Sequence, residues 1–255
     1  MRMAQIEDRA RLIPGEALRL VELAERRSLT LRITGSVAVG WHCPDHRPVM
    51  AELGRRPYHD IDYWALGSQM VELEQLFQSE GYVSDERVRR MREWGIKRLV
   101  LEHPESAVTI DVFMDELVMA HTIAFSDRLA LPGPCTMPGD LLLSKLQIHE
   151  ITENDLIDLA VLLAVNDLDA LEAERVVTVI SKEWGFWFDA VANLARLREA
   201  LDRYEPLGPQ RAVIAERVAA LEDRLERHPK DRRWKLRARI GTRSRWYELV
   251  DEVNR

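Results

Sequence analysis

The chain has 255 residues, of which 46% are hydrophobic and 31% are charged, and its formal net charge is −7. This composition supports a folded core and excludes a chain that is disordered along most of its length. No run of about eighteen apolar residues occurs, and the start lacks the apolar stretch of a secretory signal, so we expect a cytoplasmic protein with no membrane partner. The two cysteines, Cys43 and Cys135, are too few for a disulfide framework and lack zinc-site spacing.

Charge is unevenly distributed along the chain. Ten Lys or Arg and only two acids fall between Arg224 and Arg245, which gives that segment a charge of +8 and leaves −15 for the remainder. A cationic segment of this kind attracts polyphosphate or RNA, and it also occurs as a solvated helix face that balances acidic surroundings. The sequence leaves both interpretations open.

The first half of the chain alternates between helical and extended patterns. Apolar residues recur at helical spacing over residues 15–27, and the alternation in residues 29–35 predicts a strand directly afterwards. A short helix is predicted to begin at Ser36, a loop to cover residues 46–57, and a second strand to occupy residues 60–66. A further helix and three more extended segments are predicted, at residues 69–82, 96–103, 107–114 and 121–131.

Three prolines, Pro132, Pro134 and Pro138, mark the predicted domain boundary because they interrupt any regular element. Every later segment has a helical pattern, at residues 139–151, 153–165, 170–185, 186–204, 209–228 and 244–253. Strands followed by helices, with one helix clearly between strands, indicate an α+β fold. We therefore predict a core with a small mixed sheet over residues 1–135 and a helical region over residues 136–255.

Three acids occur in predicted strands. Asp60 and Asp62 lie two residues apart, so in a strand both side chains point to the same face. Asp111 lies in an otherwise apolar strand, where an unpaired acid is costly to bury. Neighbouring carboxylates repel each other unless protons or cations compensate, and Mg²⁺ prefers oxygen ligands. The pattern therefore favours a metal site, while each acid taken alone equally fits a position that faces solvent.

Gly35 and Ser36 directly follow the first predicted strand. A glycine there permits close approach to the backbone, and a helix that begins at Ser36 offers unpaired N–H donors to a phosphate. The alternative is that Ser36 only caps the helix. The order of strand, Gly-Ser, helix, paired acids and a later strand with a single Asp favours a combined phosphate and metal site.

Three segments in this order resemble the motifs of the polymerase-beta-like nucleotidyltransferase superfamily: GSVAVGW at 35–41, HDIDYWAL at 59–66 and TIDVFM at 109–114. The resemblance covers about the first 165 residues. Within the superfamily the chain is most similar to the bacterial nucleotidyltransferases of abortive-infection and toxin systems. In those proteins an Arg precedes the acid pair by four residues, and Arg56 has that position here.

The resemblance implies a reaction and a cofactor. A nucleoside monophosphate would be transferred from an NTP, such as ATP, to a hydroxyl acceptor, with release of pyrophosphate. Mg²⁺, as two ions and with Mn²⁺ as an alternative, would be held by the catalytic carboxylates Asp60, Asp62 and Asp111. The competing interpretation is a catalytically silent module of the same fold that binds a nucleotide or a partner, and the presence of all three acids argues against it.

The same resemblance implies a nucleotide-binding set. Gly35 and Ser36 would hold the triphosphate, and Arg56 and Lys145 would contact phosphate. Asp158, in the acidic helix that relatives carry after the core, would position Lys145 or help to recognise the nucleotide. The alternative for these charged residues is that they form surface ion pairs, which contribute little individually.

The acceptor stays open among three classes. The basic segment 224–245 favours RNA or tRNA, and a protein side chain or a small molecule such as an aminoglycoside would also supply a hydroxyl group. The similarity to toxin systems adds an antitoxin as a possible partner protein. The sequence does not decide among these classes.

Overall fold

The computed structural model describes residues 2–91, 95 and 97–249. The chain divides into two compact units, whose segments alternate along the sequence. The first unit consists of Met1–Trp41, Arg56–Leu117 and Ala124–Thr136, and the second consists of His42–Arg55, Val118–Ile123 and Met137–Arg255. Whether residues 1–135 and 136–255 fold as separate domains stays a prediction.

The elements combine a mixed sheet with many helices, and the predicted α+β class is confirmed. In chain order they are α1 (Arg2–Arg26), β1 (Leu31–Thr34), α2 (Gly35–His42), α3 (Arg47–Glu52), β2 (Asp60–Ala65), α4 (Met70–Ser79), β3 (Val83–Ser84), α5 (Glu86–Met91), β4 (Arg98–Glu102), β5 (Thr109–Met114), β6 (Glu116–Val118), β7 (Thr122–Ala124), α6 (Pro138–Leu146), α7 (Glu153–Val165), α8 (Ala173–Ser181), α9 (Trp184–Ala200), α10 (Gln210–Arg227) and α11 (Arg232–Ile240). Within the described residues, no helix combines the length and apolar character needed to cross a bilayer.

The main sheet has five strands in the order β1-β2-β5-β4-β3. Strands β2 and β5 run parallel, and the other neighbouring pairs are antiparallel. Alternate residues of the two central strands are fully buried, including Ile61 and Tyr63 on β2 and Ile110 and Val112 on β5. The Tyr63 hydroxyl donates a hydrogen bond of 2.9 Å to the carbonyl of Ala17 on α1, so this face of the sheet packs on α1.

Helix α1 is longer than the sequence pattern predicted. The prediction began at residue 15 because Pro14 and Gly15 usually interrupt helices. In the structure the helix continues through Pro14, and its buried stripe includes Ile13 as well as Ala17 and Leu20. Tertiary burial of Ile13 therefore outweighs the local cost of the proline.

The second unit is built around α7. Every residue from Leu156 to Leu163 is buried, which is typical of a helix enclosed by others. The helix begins with a capping box, in which the Thr152 backbone N–H and hydroxyl both donate to the Asp155 carboxylate, at 3.1 and 2.7 Å. The same carboxylate lies 2.7 Å from Nζ of Lys145 on α6, and this ion pair joins the start of α7 to α6.

Two predicted segments in this unit were wrong. Residues 46–57 were predicted as a loop but contain α3, in which proline occupies the first turn, where its missing N–H costs little. Residues 244–249 of the last predicted helix are not helical, and residues 250–253 lie outside the described chain. The helix occurs earlier, as α11, and begins at Asp231, whose carboxylate accepts a 2.7 Å hydrogen bond from the Trp234 backbone N–H.

Candidate functional site

The three predicted acids share one face of the central strands in the first unit. Asp62 is the direct register partner of Asp111 across the parallel β2 and β5 pair, and Asp60 lies two residues before it on β2. Residues in register on neighbouring strands project to the same side of a sheet, as do alternate residues of one strand. The opposite face is the buried one, so the carboxylates are on the less buried face of the sheet.

Asp111 is bound by an arginine that the sequence analysis did not select. The Arg98 guanidinium on β4 contacts both carboxylate oxygens, with Nε 2.6 Å from Oδ1 and Nη2 against Oδ2. The guanidinium carbon also lies 4.9 Å from the centre of the Phe113 ring. Arg98 is paired in register with Phe113, so Asp111 is its diagonal neighbour on the same face. This contact depends on the β4 and β5 register, which the sequence does not specify.

The charges of this face are coupled. Burial raises the pKa of Asp111; the hydrogen bonds from Arg98 oppose that shift, and the negative charge of Asp60 adds to it. Burial lowers the pKa of Arg98, but its bonds to Asp111 and the charge of Asp62 more than offset this effect and raise it. Arg98 is therefore a permanent cation that balances the carboxylates.

Gly35 is at the start of α2, against the Asp62 carboxylate. Its φ is +61°, and a Cβ at this position would overlap a carboxylate oxygen of Asp62 and lie 3.0 Å from its Cγ. Neither the dihedral angle nor the space suits any other residue. Ser36 follows within the first turn of the same helix. The Gly-Ser turn and the second acid of the pair are thus in direct contact.

Lys145 and Asp158 belong to the second unit, where they contact each other. The Lys145 Nζ lies 2.9 Å from the carboxylate of Asp158 and 2.7 Å from that of Asp155. Asp158 is fully buried and also accepts two hydrogen bonds from the Arg55 guanidinium, at 2.6 and 3.1 Å. The predicted partnership of Lys145 and Asp158 is present as a contact, and the role of either residue toward a nucleotide stays a prediction.

The lysine in this cluster keeps its charge. Burial lowers the pKa of Lys145, but the charges of Asp158 and Asp155 outweigh burial and raise it above the usual value.

Arg56, the arginine singled out from the sequence, is exposed in the first unit, and its neighbour Arg55 is the one bound to Asp158. Sequence reasoning missed Arg55 because only the fold brings residues 55 and 158 together.

The three carboxylates have the chemistry that a hard divalent cation prefers, but they do not converge on one point in the structure. Asp60, Asp62 and Asp111 supply carboxylate oxygens on one face, which is the chemistry that Mg²⁺ and Mn²⁺ prefer. Within the described ranges, however, no three His, Cys, Asp or Glu side chains converge closely enough to hold a metal. Both oxygens of Asp111 accept hydrogen bonds from Arg98, and each keeps a further lone pair for a metal, although the neighbouring positive charge would weaken metal binding there.

No protein-family model and no curated protein matches the chain. The solved structures that are similar to it include the following three. The lincomycin-bound lincosamide antibiotic adenylyltransferase LnuA has a TM-score of 0.41 and 19% identity, over 60% of this chain and 97% of that one. The antibiotic-resistance factor ANT(2'')-Ia has a TM-score of 0.32 and 18% identity, over 89% of this chain and 100% of that one. An H. pylori protein described as a nucleotidyltransferase has a TM-score of 0.40 and 10% identity, over 86% of this chain and 98% of that one.

Of these three structures, the first is described as an adenylyltransferase and the third as a nucleotidyltransferase.

Proposed function

We propose that the protein is a nucleotidyltransferase of the polymerase-beta-like superfamily, which transfers NMP from an NTP to a hydroxyl acceptor and releases pyrophosphate. The observation that carries this proposal is the position of Asp62, which lies against Gly35 on one side and in register with Asp111 on the other. The Gly35-Ser36 turn and the carboxylates thus meet within one unit, which supports a phosphate site beside a metal site. In-line displacement at phosphorus needs these two features next to each other.

The carboxylates Asp60, Asp62 and Asp111 would hold Mg²⁺, as two ions, with Mn²⁺ as an alternative. When bound, such ions stabilise the attacking and leaving oxygens of the transfer. The donor types support this assignment, and the positive charge of Arg98 beside Asp111 would oppose it electrostatically.

The triphosphate would be held at the beginning of α2. The first backbone N–H groups of a helix have no partner within the helix and attract anions. Gly35 and Ser36 occupy this position, and the absence of a side chain at Gly35 leaves the backbone accessible. Arg56, Lys145 and Asp158 are proposed as further nucleotide-binding residues on the basis of the sequence resemblance alone.

The acceptor is proposed to be a hydroxyl group on RNA or tRNA, on a protein, or on a small molecule. The cationic segment 224–245 supports a polyanionic acceptor such as RNA. An antitoxin protein is a further possible partner, suggested only by the resemblance to toxin-system enzymes.

The test is incubation of the protein with labelled NTPs, Mg²⁺ and cell extract, followed by separation of RNA, protein and small molecules. We expect label in one of these fractions and none when Asp60→Asn or Asp62→Asn replaces the wild type. Asp127→Asn, which removes an exposed carboxylate elsewhere in the same unit, is the matched control and should transfer normally. Full transfer by both active-site variants would show that these acids have another role.

A catalytically silent module is the second candidate, and one observation favours it. Arg98 neutralises Asp111, as a structural ion pair would. Calorimetric titration with Mg²⁺ and each NTP separates the two functions. Nucleotide binding without label transfer would favour the module, and binding accompanied by transfer would exclude it.

A further inference from the structure

The ten cations of residues 224–245 do not all have the same environment. Four of them hold the second unit together. Arg224 and Arg227 form ion pairs at 3.0 and 2.9 Å from carboxylate oxygens, and Lys230 and Arg237 donate hydrogen bonds to backbone carbonyl groups. These four side chains make intramolecular contacts, so fewer cations can bind a ligand than the net charge of the segment suggests.

The other six cations are exposed and have no hydrogen-bond or ion-pair partner in the part of the chain that the structure describes. They are Arg232, Arg233, Lys235, Arg239, Arg243 and Arg245. No acid occurs from residue 232 to residue 247. We call these six side chains the cationic row. Exposed cations that lack any acid within the chain attract anions from outside it.

Helix α11 presents the row in a regular arrangement. Arg232, Lys235 and Arg239 are three and four residues apart, so they follow one side of the helix in steps of about 5 Å along its axis. A linear series of charges at this spacing fits a polymer of phosphates better than a single small anion. The two cations beyond the helix, Arg243 and Arg245, extend the series into the following turn.

Helix α11 is also held in place before any ligand binds. Its Trp234 packs edge-on against Trp187 of α9 with ring centres 5.4 Å apart, and the Arg237 guanidinium lies 4.7 Å from the centre of the Trp184 ring. The Asp231 cap fixes its first turn. A cationic surface that is already ordered loses less entropy on binding than a flexible tail does.

We propose that the cationic row binds the phosphate backbone of an RNA. The choice of RNA rests on the proposed function, because RNA carries the hydroxyl acceptors that nucleotidyl transfer needs. Binding of the phosphate backbone by the cationic row does not require the carboxylates of Asp60, Asp62 and Asp111. The remainder of the chain has a net charge of −15 outside residues 224–245, which disfavours contact of a polyanion elsewhere.

An acidic protein partner fits the same surface less well. Leu236 and Ile240 are 59% and 48% exposed on the side of α11 that carries the cations. Two aliphatic side chains are a small part of the roughly 1,200–2,000 Å² that stable protein interfaces bury. The cores of such interfaces are depleted of charge, whereas cations surround both residues here. We therefore assign the surface to phosphates.

The experiment measures binding of the full chain to a fluorescent single-stranded RNA of about 16 nucleotides by anisotropy, at salt concentrations from about 50 to 200 mM. If all six cations contact phosphate, log K should fall against log salt with a slope of about −4, since each contact on a single strand contributes about −0.7. The triple variant Arg232→Ala, Lys235→Ala, Arg239→Ala should flatten the slope by about 2 and weaken binding at low salt at least tenfold.

The matched control removes three exposed cations elsewhere, with Arg26→Ala, Lys182→Ala and Arg203→Ala, and should leave both affinity and slope unchanged. Leu236→Ser with Ile240→Ser should also leave them unchanged, and poly-glutamate of equal charge should not displace the RNA. Wild-type affinity in the α11 triple variant, equal competition by poly-glutamate, or loss of binding in the serine variant would overturn the proposal. Circular dichroism verifies that each variant is folded.

The Asp60→Asn, Asp62→Asn double variant separates this proposal from the proposed function. It should bind RNA like the wild type and transfer no label. Absence of RNA binding together with transfer to a protein or a small molecule would overturn the cationic row as an RNA site and leave nucleotidyl transfer intact.

Discussion

The positive charge of Arg98 would oppose binding of a divalent cation at Asp111. Arg98 contacts both oxygens, and the carboxylate is partly buried, so loss of the guanidinium leaves a negative charge in a poorly solvated place. A metal ion at Asp111 would relieve that cost. In the proposed site, Arg98 would therefore weaken metal binding at Asp111, in addition to balancing the charge of the carboxylate.

Arg98→Ala is expected to raise affinity for Mn²⁺. A hydrogen bond to a charged group contributes about 1.5–3 kcal/mol, so removing this positive charge should tighten binding roughly tenfold or more. Electron paramagnetic resonance of free Mn²⁺ during titration measures this without any assay of activity. Lys97→Ala removes the neighbouring exposed cation, which pairs with Asp115, and serves as control. Unchanged or weaker Mn²⁺ binding by the Arg98 variant would show that Asp111 is not a ligand.

Gly35→Ala should destabilise the first unit. The methyl group would meet the Asp62 carboxylate, and the positive φ adds backbone strain, so we expect a loss of about 1–3 kcal/mol in the free energy of unfolding by urea. Gly15→Ala is the matched control, because it lies in α1 with no atom within 4 Å of the added Cβ. That change should be neutral or mildly stabilising. Equal stability of the two variants would disprove the close contact.

At the scale of elements, Asp189 of α9 links three segments of the second unit. Its carboxylate lies 2.8 Å from the His121 ring and 3.0 Å from the His149 ring, and it accepts a 3.0 Å hydrogen bond from the Trp246 indole. These groups are widely separated in sequence, and no local pattern indicates that they meet. Residues 244–249 were predicted as helix, and the bond to Asp189 shows what holds them instead.

Asp189→Asn should lower the free energy of unfolding by an amount that depends on pH. Burial raises the pKa of Asp189, but the bonds from His121, Trp246 and His149 outweigh it and lower the pKa. A lowered carboxylate pKa contributes stability that is present above the unfolded pKa of about 3.9 and is lost as the pH falls through the folded value. Urea unfolding should therefore show a stability difference from the wild type at about pH 5 that shrinks as the pH falls below about 4. A difference that grows below about pH 4 would contradict this assignment.

Asp158→Asn distinguishes a packing role from nucleotide recognition. The buried carboxylate binds both Arg55 and Lys145, and breaking a buried ion pair typically costs about 3–5 kcal/mol. We expect lower stability in urea, whereas Asp169→Asn, an exposed acid near the end of α7, should change little. Unchanged stability combined with a raised KM for NTP would favour nucleotide recognition over packing.

At the scale of the whole molecule, features set by neighbouring residues could be predicted from the sequence, whereas contacts between distant segments could not. The shared face of Asp60 and Asp62 follows from the two-residue period of a strand, and the α+β class follows from the order of patterns. The Arg98 contact depends on register between strands. Helix α11 was missed because Trp234, Leu236, Ala238 and Ile240 alternate, which is the pattern of a strand, whereas the Asp231 cap and the contact of Trp234 with Trp187 of α9 accompany a helix here.

The charge of the molecule likewise needed the structure for its interpretation. The sequence showed a segment of +8 within an acidic chain but did not separate cations with partners from those without. Intramolecular pairing reduces ten candidates to the six of the cationic row, and this assignment follows only from where each side chain lies.

The measurement that tests nucleotidyl transfer most directly compares NTP labelled at the α-phosphate with NTP labelled at the γ-phosphate, in the presence of Mg²⁺ and cell extract. Transfer of NMP moves the α-label to the acceptor and releases the γ-label as pyrophosphate. We predict acceptor-bound α-label, no acceptor-bound γ-label, and neither with Asp62→Asn. Acceptor-bound γ-label would indicate a phosphoryl transferase, and α-label transfer that survives Asp62→Asn would contradict the catalytic site proposed for this protein.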